Sequence, residues 1–163
     1  MSGLLSRFFP DRPPALRVAT SRDAAALAGL HAGAFHIAWD AAEFERLLAD
    51  RLSLAFLATD GPQGAPIGFI LTRGVLPETE ILSVAVAPRW RGRGLGRQLV
   101  EAVFGRLAAE GYTTVFLEVE EGNAAARKLY ARAGFREIGR RSGYYRTQGG
   151  VPAAALTMRR DIA

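Results

Sequence analysis

Between residues 88 and 104 the chain reads PRWRGRGLGRQLVEAVF, in which glycines and arginines alternate just before an amphipathic helical pattern. Backbone N–H groups of a glycine loop at the start of a helix, where the helix dipole is positive, form a binding site for an anion such as phosphate. Glycine suits such a loop because a Cβ would block the phosphate oxygens or disfavour a positive φ. The run therefore predicts a phosphate-binding loop between a strand and a helix.

Two common phosphate motifs fit this run poorly. The glycines are spaced Gly92-x-Gly94-x-Gly96 rather than G-x-G-x-x-G, and no acidic ribose partner follows at a strand end about 20 residues later. A P-loop needs lysine and then serine or threonine after its last glycine, whereas Gly96 is followed by Arg97 and Gln98. A surface arginine cluster with an incidental turn is the structural alternative.

The composition is that of a chain able to bury one substantial core, with 163 residues, 49% of them hydrophobic and 23% charged. The absence of cysteine excludes disulfides, cysteine-ligated metals and cysteine thioester mechanisms. His31 and His36 lack an accompanying carboxylate pattern, so no metal site is expected. Residues 1–14 lack the apolar centre of a signal peptide and no later run could span a membrane. We therefore expect a cytoplasmic protein with a loosely ordered tail over 1–14 and one domain over 15–163.

The charge is unevenly distributed along the chain. Residues 1–86 carry 7 Arg and Lys against 9 Asp and Glu, whereas residues 87–163 carry 14 against 7, which gives net charges of −2 and +7. The second half should therefore face an anion: a nucleic acid, an anionic membrane or a polyphosphate cofactor. Aromatic residues are sparse around the arginine loop, which disfavours the stacking of single-stranded nucleic acid there.

Hydrophobic periodicity and turn residues predict alternating strands and helices. Asn123 is the expected N-cap of the last helix and Gly134 its left-handed stop, and Thr20 or Ser21 is the expected N-cap of the first helix. The predicted helices cover residues 21–35, 39–50, 95–107 and 123–134. The predicted strands cover residues 16–20, 52–59, 67–73, 79–86, 113–119, 135–146 and 153–162, the second and third as a hairpin and the last two as a pair.

Three segments carry a resemblance to a known family. Arg91-x-x-Gly94-x-Gly96, between ILSVAVAP and a helix, resembles the pyrophosphate-binding motif of the GNAT acyl-CoA N-acyltransferases. LEVEEGNAAARKLYARAGF, residues 117–135, is similar to a segment of that superfamily's RimI-type branch, the ribosomal-protein alanine N-acetyltransferases, and HAGAFHIAWDAAEF, residues 31–44, resembles that branch's aromatic helix entry. The resemblance implies a mixed α/β GNAT fold, a mostly antiparallel sheet of about seven strands with a splayed V-shaped cleft and about four flanking helices.

The resemblance also implies acetyl-CoA as the cosubstrate, with no metal. It places the thioester arm along the end of a strand at Val84, Ala85 and Val86, where an N–H near Val86 would hold the developing oxyanion. It assigns the pyrophosphate to the loop, and further cofactor contacts to Asn123 and Tyr130. The loop residues concerned are Arg91, Gly92, Arg93, Gly94, Leu95, Gly96 and Arg97.

Acetyl transfer to an amine needs a base for the attacking nitrogen and an acid for the leaving thiolate. Glu118 is the candidate base, because its apolar neighbours in VFLEV would make it more basic than a solvated glutamate, and Glu80 on the neighbouring strand is the alternative. Tyr130 is the candidate acid, since a phenol is neutral at pH 7 and can donate a proton. The structural interpretations are an arginine-paired carboxylate for Glu118 and a core tyrosine for Tyr130.

The favoured acceptor, also from the resemblance, is the N-terminal α-amine of a protein such as a ribosomal protein, attacking directly in a ternary complex. Trp39, Tyr144 and Tyr145 are candidate acceptor contacts. Ser83 stands where the branch often has asparagine, and residues 153–154 are alanines where it often has an acidic pair. We expect a monomer or weak homodimer with no DNA or membrane partner. The alternatives are a small-molecule amine, lysine or polyamine acceptor, or a non-catalytic CoA-binding or RNA-contacting module.

Overall fold

The computed structural model describes residues 13–35, 37–146 and 152–162. Seven strands in these residues form one sheet in the order β1-β2-β3-β4-β5-β7-β6. Neighbouring strands are antiparallel except β4 and β5, which are parallel. The predicted mixed sheet is confirmed, and the last strand lies inside it, between β5 and β6. The strands are β1 Ala15–Val18, β2 Ser53–Thr59, β3 Pro66–Val75, β4 Glu78–Val86, β5 Thr114–Glu120, β6 Arg136–Arg146 and β7 Pro152–Asp161.

Four α-helices flank the sheet, as predicted: α1 Ala24–Ala32, α2 Ala41–Ala49, α3 Leu95–Ala109 and α4 Ala124–Arg132. The first helix is shorter than predicted at both ends. Residues Ser21–Asp23 form a 3-10 turn before it. At its other end the N–H groups of Ala34 and Phe35 both donate to the carbonyl of His31, which closes the helix with a turn. None of the described helices is long and apolar enough to cross a membrane.

The helices cover the two faces of the sheet unequally. Leu99 and Val103 of α3 are fully buried against Leu117 and other core residues on one face. On the opposite face, Phe44 of α2 is fully buried with Phe69 and other residues of β2 and β3. Alternate residues of a strand point to opposite faces, and Leu117 points toward α3, so Glu118 points to the other face. That face is covered by α1 and α2 where they pack on β2, β3 and β4.

The sheet opens into a V between its two parallel strands, as the resemblance implied. Residues Glu78–Ile81 of β4 pair with Thr114–Leu117 of β5, after which β4 stays paired with β3 and β5 with β7. Ile81 lies opposite Thr72 and Ser83 opposite Leu71, so Leu82 is an extra, bulged residue. Because a β-bulge bends its strand, this bulge carries β4 away from β5 directly after their last pair.

The packing of α3 on β3 generates a test of the fold. A Cβ on Gly68 would lie 3.1 Å from the carbonyl oxygen of Ala85 and 3.2 Å from Cδ2 of Leu95, whereas a Cβ on Gly105 of α3 would meet nothing within 4 Å. We expect Gly68→Ala to lower the free energy of unfolding by about 1–3 kcal/mol, as overpacking does. Gly105→Ala should raise it by about 0.5–1 kcal/mol, because alanine favours a helix.

Urea unfolding of the two variants and the parent measures both effects. The contrast in sign is the informative result, since both changes add the same methyl group. A Gly68→Ala variant as stable as the parent would contradict the close approach of α3 to β3.

Candidate active site

The loop between β4 and α3 has the backbone conformation that a phosphate-binding loop requires. Gly92 has a φ of +75° and Gly94, the N-cap residue of α3, has a φ of +81°. A Cβ at either position would meet no atom within 4 Å, so glycine is needed here for its left-handed conformation and not for lack of space. The first N–H groups of α3 follow directly and have no acceptor within the helix.

Gly96 serves a different purpose from the other two glycines. It lies within the first turn of α3, where a Cβ would be 3.2 Å from Cδ2 of Leu129 in α4. Its lack of a side chain therefore lets the start of α3 pack closely against Leu129 of α4.

A cleft of about 580 Å³ lies where these two helices meet the end of β4. Seven of the predicted cofactor-binding residues line it: Val86, Arg91, Gly92, Gly94, Leu95, Gly96 and Arg97. Two further cations on this wall, Lys128 and Arg132 of α4, were not predicted from the sequence, although their spacing of four residues places them on one helix face. Four cations thus surround one cleft, which suits it to a polyphosphate.

The arginines of the loop are not equivalent. Arg91 donates from Nε to the carbonyl of Val86 at 3.1 Å and from Nη2 to the carbonyl of Gly33 at 3.3 Å, so it ties the end of β4 to the chain after α1. The guanidinium of Arg93 lies 5.2 Å from the centre of the Trp90 ring. Arg97 pairs with Glu101 at 3.4 Å along the exposed side of α3. Arg91 therefore shapes the loop in addition to contributing charge.

The end of β4 presents backbone groups to the open side of the V. The N–H of Ala87 donates to the carbonyl of Ile67 at 2.8 Å. In an antiparallel pair every second residue of a strand bonds to the same neighbouring strand, and the residues between point their N–H and C=O groups to the other side. Ala85 therefore bonds to β3, while Val84 and Val86 turn their N–H and C=O groups toward the gap left by β5. The side chain of Ala85 is buried in the cluster under α1 and α2. Because the carbonyl of Val86 already accepts from Arg91, the available backbone groups in this segment are the N–H and C=O of Val84 and the N–H of Val86.

Asn123 caps α4, as predicted. Its side-chain oxygen accepts a hydrogen bond from the N–H of Ala126 at 3.1 Å at the start of α4. The residues that α4 contributes to the cleft follow directly, beginning at Ala125. Tyr130, in the same helix, is buried in the core with its ring 5.7 Å from that of Phe135. Tyr130 therefore has the packing of a core residue, one position after Leu129 of the cleft wall.

Glu118 lies at the fork of the V, as the first β5 residue beyond the last pair with β4. Its Oε1 accepts from Nη2 of Arg141 at 2.8 Å, and the two side chains are 23% and 57% exposed. The apolar enclosure expected from VFLEV is therefore replaced by a partly exposed ion pair, the structural interpretation that the sequence left open. The neighbours in the sequence, Leu117 and Val119, point to the other face of the sheet, which is why they do not enclose the carboxylate.

Glu80 of β4 lies opposite Phe116 of β5, and Phe116 is two residues before Glu118 on that strand. Burial, and secondly the negative charge of Glu118, raise the pKa of the Glu80 carboxyl above its ordinary value. The two glutamates are thus close enough to interact electrostatically on one face of the sheet. The structure brings together both carboxylates that the sequence offered as alternatives.

The chain between α1 and α2 is organised by an aromatic stack around His31. The His31 ring lies between Phe35 at 4.2 Å and Trp39 at 4.9 Å, and its Nδ1 accepts from the backbone N–H of Trp39 at 3.1 Å. Trp39, a predicted acceptor contact, is half-buried in this stack. His36 and the side chains of Tyr144 and Tyr145 lie outside the described residues. No cluster of three metal-ligating side chains occurs in the part of the chain that the structure describes.

Residues 24–135 match the sequence profile of the acetyltransferase (GNAT) family. The chain belongs to this family. It is 39% identical over 127 residues to the N-alpha-acetyltransferase RimI of Mycobacterium tuberculosis, covering 76% of this chain and 75% of that protein. It is 41% identical over 88 residues to the ribosomal protein bS18-alanine N-acetyltransferase of Salmonella typhimurium, covering 54% of this chain and 60% of that one. The chain thus spans under two thirds of the length of the latter relative.

The fold of this GNAT chain also matches that of a solved relative. The crystal structure of the ribosomal-protein-S18-alanine N-acetyltransferase from Escherichia coli superposes with a TM-score of 0.85 at 30% identity, over 93% of this chain and 95% of that one. The resemblance to the RimI-type branch, drawn from two short segments and a helix entry, is therefore confirmed over most of the described fold.

Protonation of His31 should make the stability of this GNAT chain depend on pH. Burial lowers the pKa of His31 below its ordinary value of 6.5, and its Nδ1 can accept from Trp39 only when unprotonated. The unfolded chain therefore binds this proton more tightly than the folded one, so stability is complete above about pH 6.5 and falls as the pH drops below it. A His31→Gln variant keeps a possible acceptor but cannot titrate there.

Urea unfolding between about pH 8 and pH 5, followed by Trp39 fluorescence in a Trp90→Phe background, measures this dependence. As the pH falls, the chain that keeps His31 should lose stability relative to the His31→Gln variant. Parallel curves for the two chains would show that His31 does not titrate with folding.

Proposed function

We propose that this protein is an acetyl-CoA-dependent N-acetyltransferase that modifies the N-terminal α-amine of a protein, with a ribosomal protein as the favoured acceptor. The observation that carries the proposal is the cationic cleft, which begins at two left-handed glycines and ends at the free edge of β4. The names of the relatives from Mycobacterium tuberculosis and Salmonella typhimurium support the choice of a terminal amine. If the acceptor is a ribosomal protein, the reaction would take place in the cytoplasm, where ribosomes are assembled.

The residues of the cleft fit a nucleotide thioester along its whole length. The N–H groups at the start of α3 and the cations Arg97, Lys128 and Arg132 would hold the pyrophosphate. The N–H and C=O of Val84 and the N–H of Val86 would pair with the extended arm, as an absent neighbouring strand would. In this arrangement the N–H of Val86 would donate to the thioester oxygen, where negative charge develops during attack.

The proton transfers follow from the carboxylates at the fork. The acceptor ammonium first loses one proton to solvent, since α-amines have a pKa near 8. The amine nitrogen then bonds to the acetyl carbon, the bond from that carbon to sulfur breaks, and the pair formed by Glu118 and Glu80 takes the second proton, directly or through water. Tyr130, whose ring is buried one position after Leu129 of the cleft wall, is the proposed acid: its hydroxyl would give a proton to the departing thiolate and regain one from water that enters the cleft. The products are the amide and the free thiol.

The acceptor would approach over the face of the sheet that carries the two glutamates. Residues 153 and 154 are alanines, and Ala154 is buried, so they offer no charge to a cationic amine. The carboxylates of Glu80, Glu118 and Glu120 lie instead on β4 and β5, at and beside the fork. The attraction for an ammonium group therefore comes from the strands that also form the V.

A peptide assay tests the proposal. Purified protein is incubated with acetyl-CoA and a synthetic peptide that begins with a free alanine and contains one internal lysine, and the products are sequenced by mass spectrometry. We expect one acetyl group on the α-amine and none on the lysine. A matched peptide with a blocked N-terminus should remain unmodified. Acetylation of the lysine, or of spermidine but neither peptide, would replace the proposed acceptor class.

A Glu118→Gln variant is the control that separates binding from chemistry. It should lower kcat by at least about tenfold, within the range expected for general base groups, while acetyl-CoA still raises the melting temperature of the variant as it does that of the parent. Loss of the thermal shift together with turnover would place Glu118 in the cofactor site. Unchanged turnover would leave Glu80 or water as the base.

A further inference from the structure

Arg141 reaches Glu118 from two strands away. In register, Arg141 of β6 lies opposite Ala155 of β7, and Ala155 lies opposite Glu120 of β5, so all three share one face with Glu118. Ala155 is fully buried although it lies on this face. Its small side chain leaves room for the arginine to cross β7, and the guanidinium ends 2.8 Å from the Glu118 carboxylate.

Other cations on this face are engaged elsewhere. Arg73, which lies opposite Glu80 on β3, pairs with Asp50 at 2.8 Å. Arg159, which lies opposite Phe116 on β7, pairs with Asp161 at 3.0 Å. Within the described residues, Arg141 is thus the arginine whose ion pair is made with a carboxylate of the fork. The charged groups facing Glu80 across this part of the sheet are Arg73, Glu78, Glu118, Glu120, Arg141 and Arg159.

Arg141 also marks a change in the path of β6. The register between β6 and β7 shifts between Arg141 and Tyr145, and Gly143 has a φ of +68°. Arg141 is therefore the last residue in regular pairing before the bulged segment that leads to the two predicted acceptor contacts. Its ion pair connects that segment to the fork of the V.

We infer that Arg141 is a positioning residue of the active site, whose ion pair fixes the Glu118 carboxylate at the fork and offsets its negative charge beside Glu80. The negative charge of Glu118 contributes to the raised pKa of the Glu80 carboxyl. A cation bonded to Glu118 offsets that charge and so favours the ionised form of Glu80. Exposed ion pairs contribute little to folding stability, so the pair of Arg141 with Glu118 acts chiefly through its charge at the fork.

The inference concerns the site of the proposed function, but its first test needs no turnover. The protein is labelled with ¹³C in its glutamate carboxyl groups and titrated by NMR, with the Glu80 and Glu118 signals assigned from Glu80→Gln and Glu118→Gln variants. Arg141→Gln should raise the pKa of Glu80 by roughly 0.5–1 unit, less than for an enclosed ion pair because the arginine is 57% exposed. Arg141→Lys should restore most of the shift.

Arg140→Gln is the matched control. Arg140 is the preceding residue, 53% exposed, and its 2.8 Å ion pair is made with Glu121, away from the fork. Its loss should leave the pKa of Glu80 unchanged. An Arg141→Gln titration that coincides with those of the parent and Arg140→Gln would overturn the inference, whatever the activity of the protein.

The kinetic test then asks whether this charge matters for the reaction. In Arg141→Gln the acidic limb of kcat/KM against pH should move upward by the same interval as the NMR titration, with the KM for acetyl-CoA within about twofold of the parent. A uniform loss of rate with an unmoved limb would indicate a structural role only and would contradict the inference. If the titration shifts but the parent acetylates no peptide, the proposed function fails while the role of Arg141 in the carboxylate pair stands.

Discussion

The separation of β4 from β5 after Ile81 is the constraint on which the rest of the site depends. Two parallel strands in one sheet would ordinarily satisfy each other's backbone groups along their full length. Here a bulge at Leu82 bends β4 directly after the last shared pair, so Val84 and Val86 keep polar backbone groups directed at an open gap. A partner must supply what β5 no longer supplies, and an extended chain with amide groups is the chemical match.

The two sides of this opening carry opposite charge. The cleft beside α3 and α4 is lined by Arg91, Arg97, Lys128 and Arg132, whereas the face at the fork carries Glu80 and Glu118. Part of the basic excess of the second half of the sequence thus lies around the cleft, and Arg141 partly neutralises the acidic fork. One substrate with phosphates and one with an amine can therefore approach the same point without competing for the same charges.

Local patterns were enough to predict much of the fold and the loop. The glycine spacing predicted a left-handed turn before a helix, and Gly92 and Gly94 have that conformation because no other residue adopts it as readily. Asn123 was predicted as a cap because capping depends on the adjacent turn alone. The end of α1 was predicted too late because its stop depends on His31, whose stacking partners are fixed only in the folded chain. The environment of Glu118 was inferred from its sequence neighbours, yet it is set by Arg141 from another strand, and no local pattern specifies that pairing.

Backbone amide NMR of the ¹⁵N-labelled protein during titration with acetyl-CoA tests the central claim most directly. If the opened edge of β4 and the start of α3 together hold the thioester, the amide signals of Val84, Val86 and residues 92–97 should shift in one saturable transition. Those of Ala85, which is bonded to β3, and of Gly105, on the exposed side of α3, should move far less. Shifts confined to the loop, with Val84 and Val86 unmoved at saturation, would contradict the account, because the gap between the strands would then not be where the substrate lies.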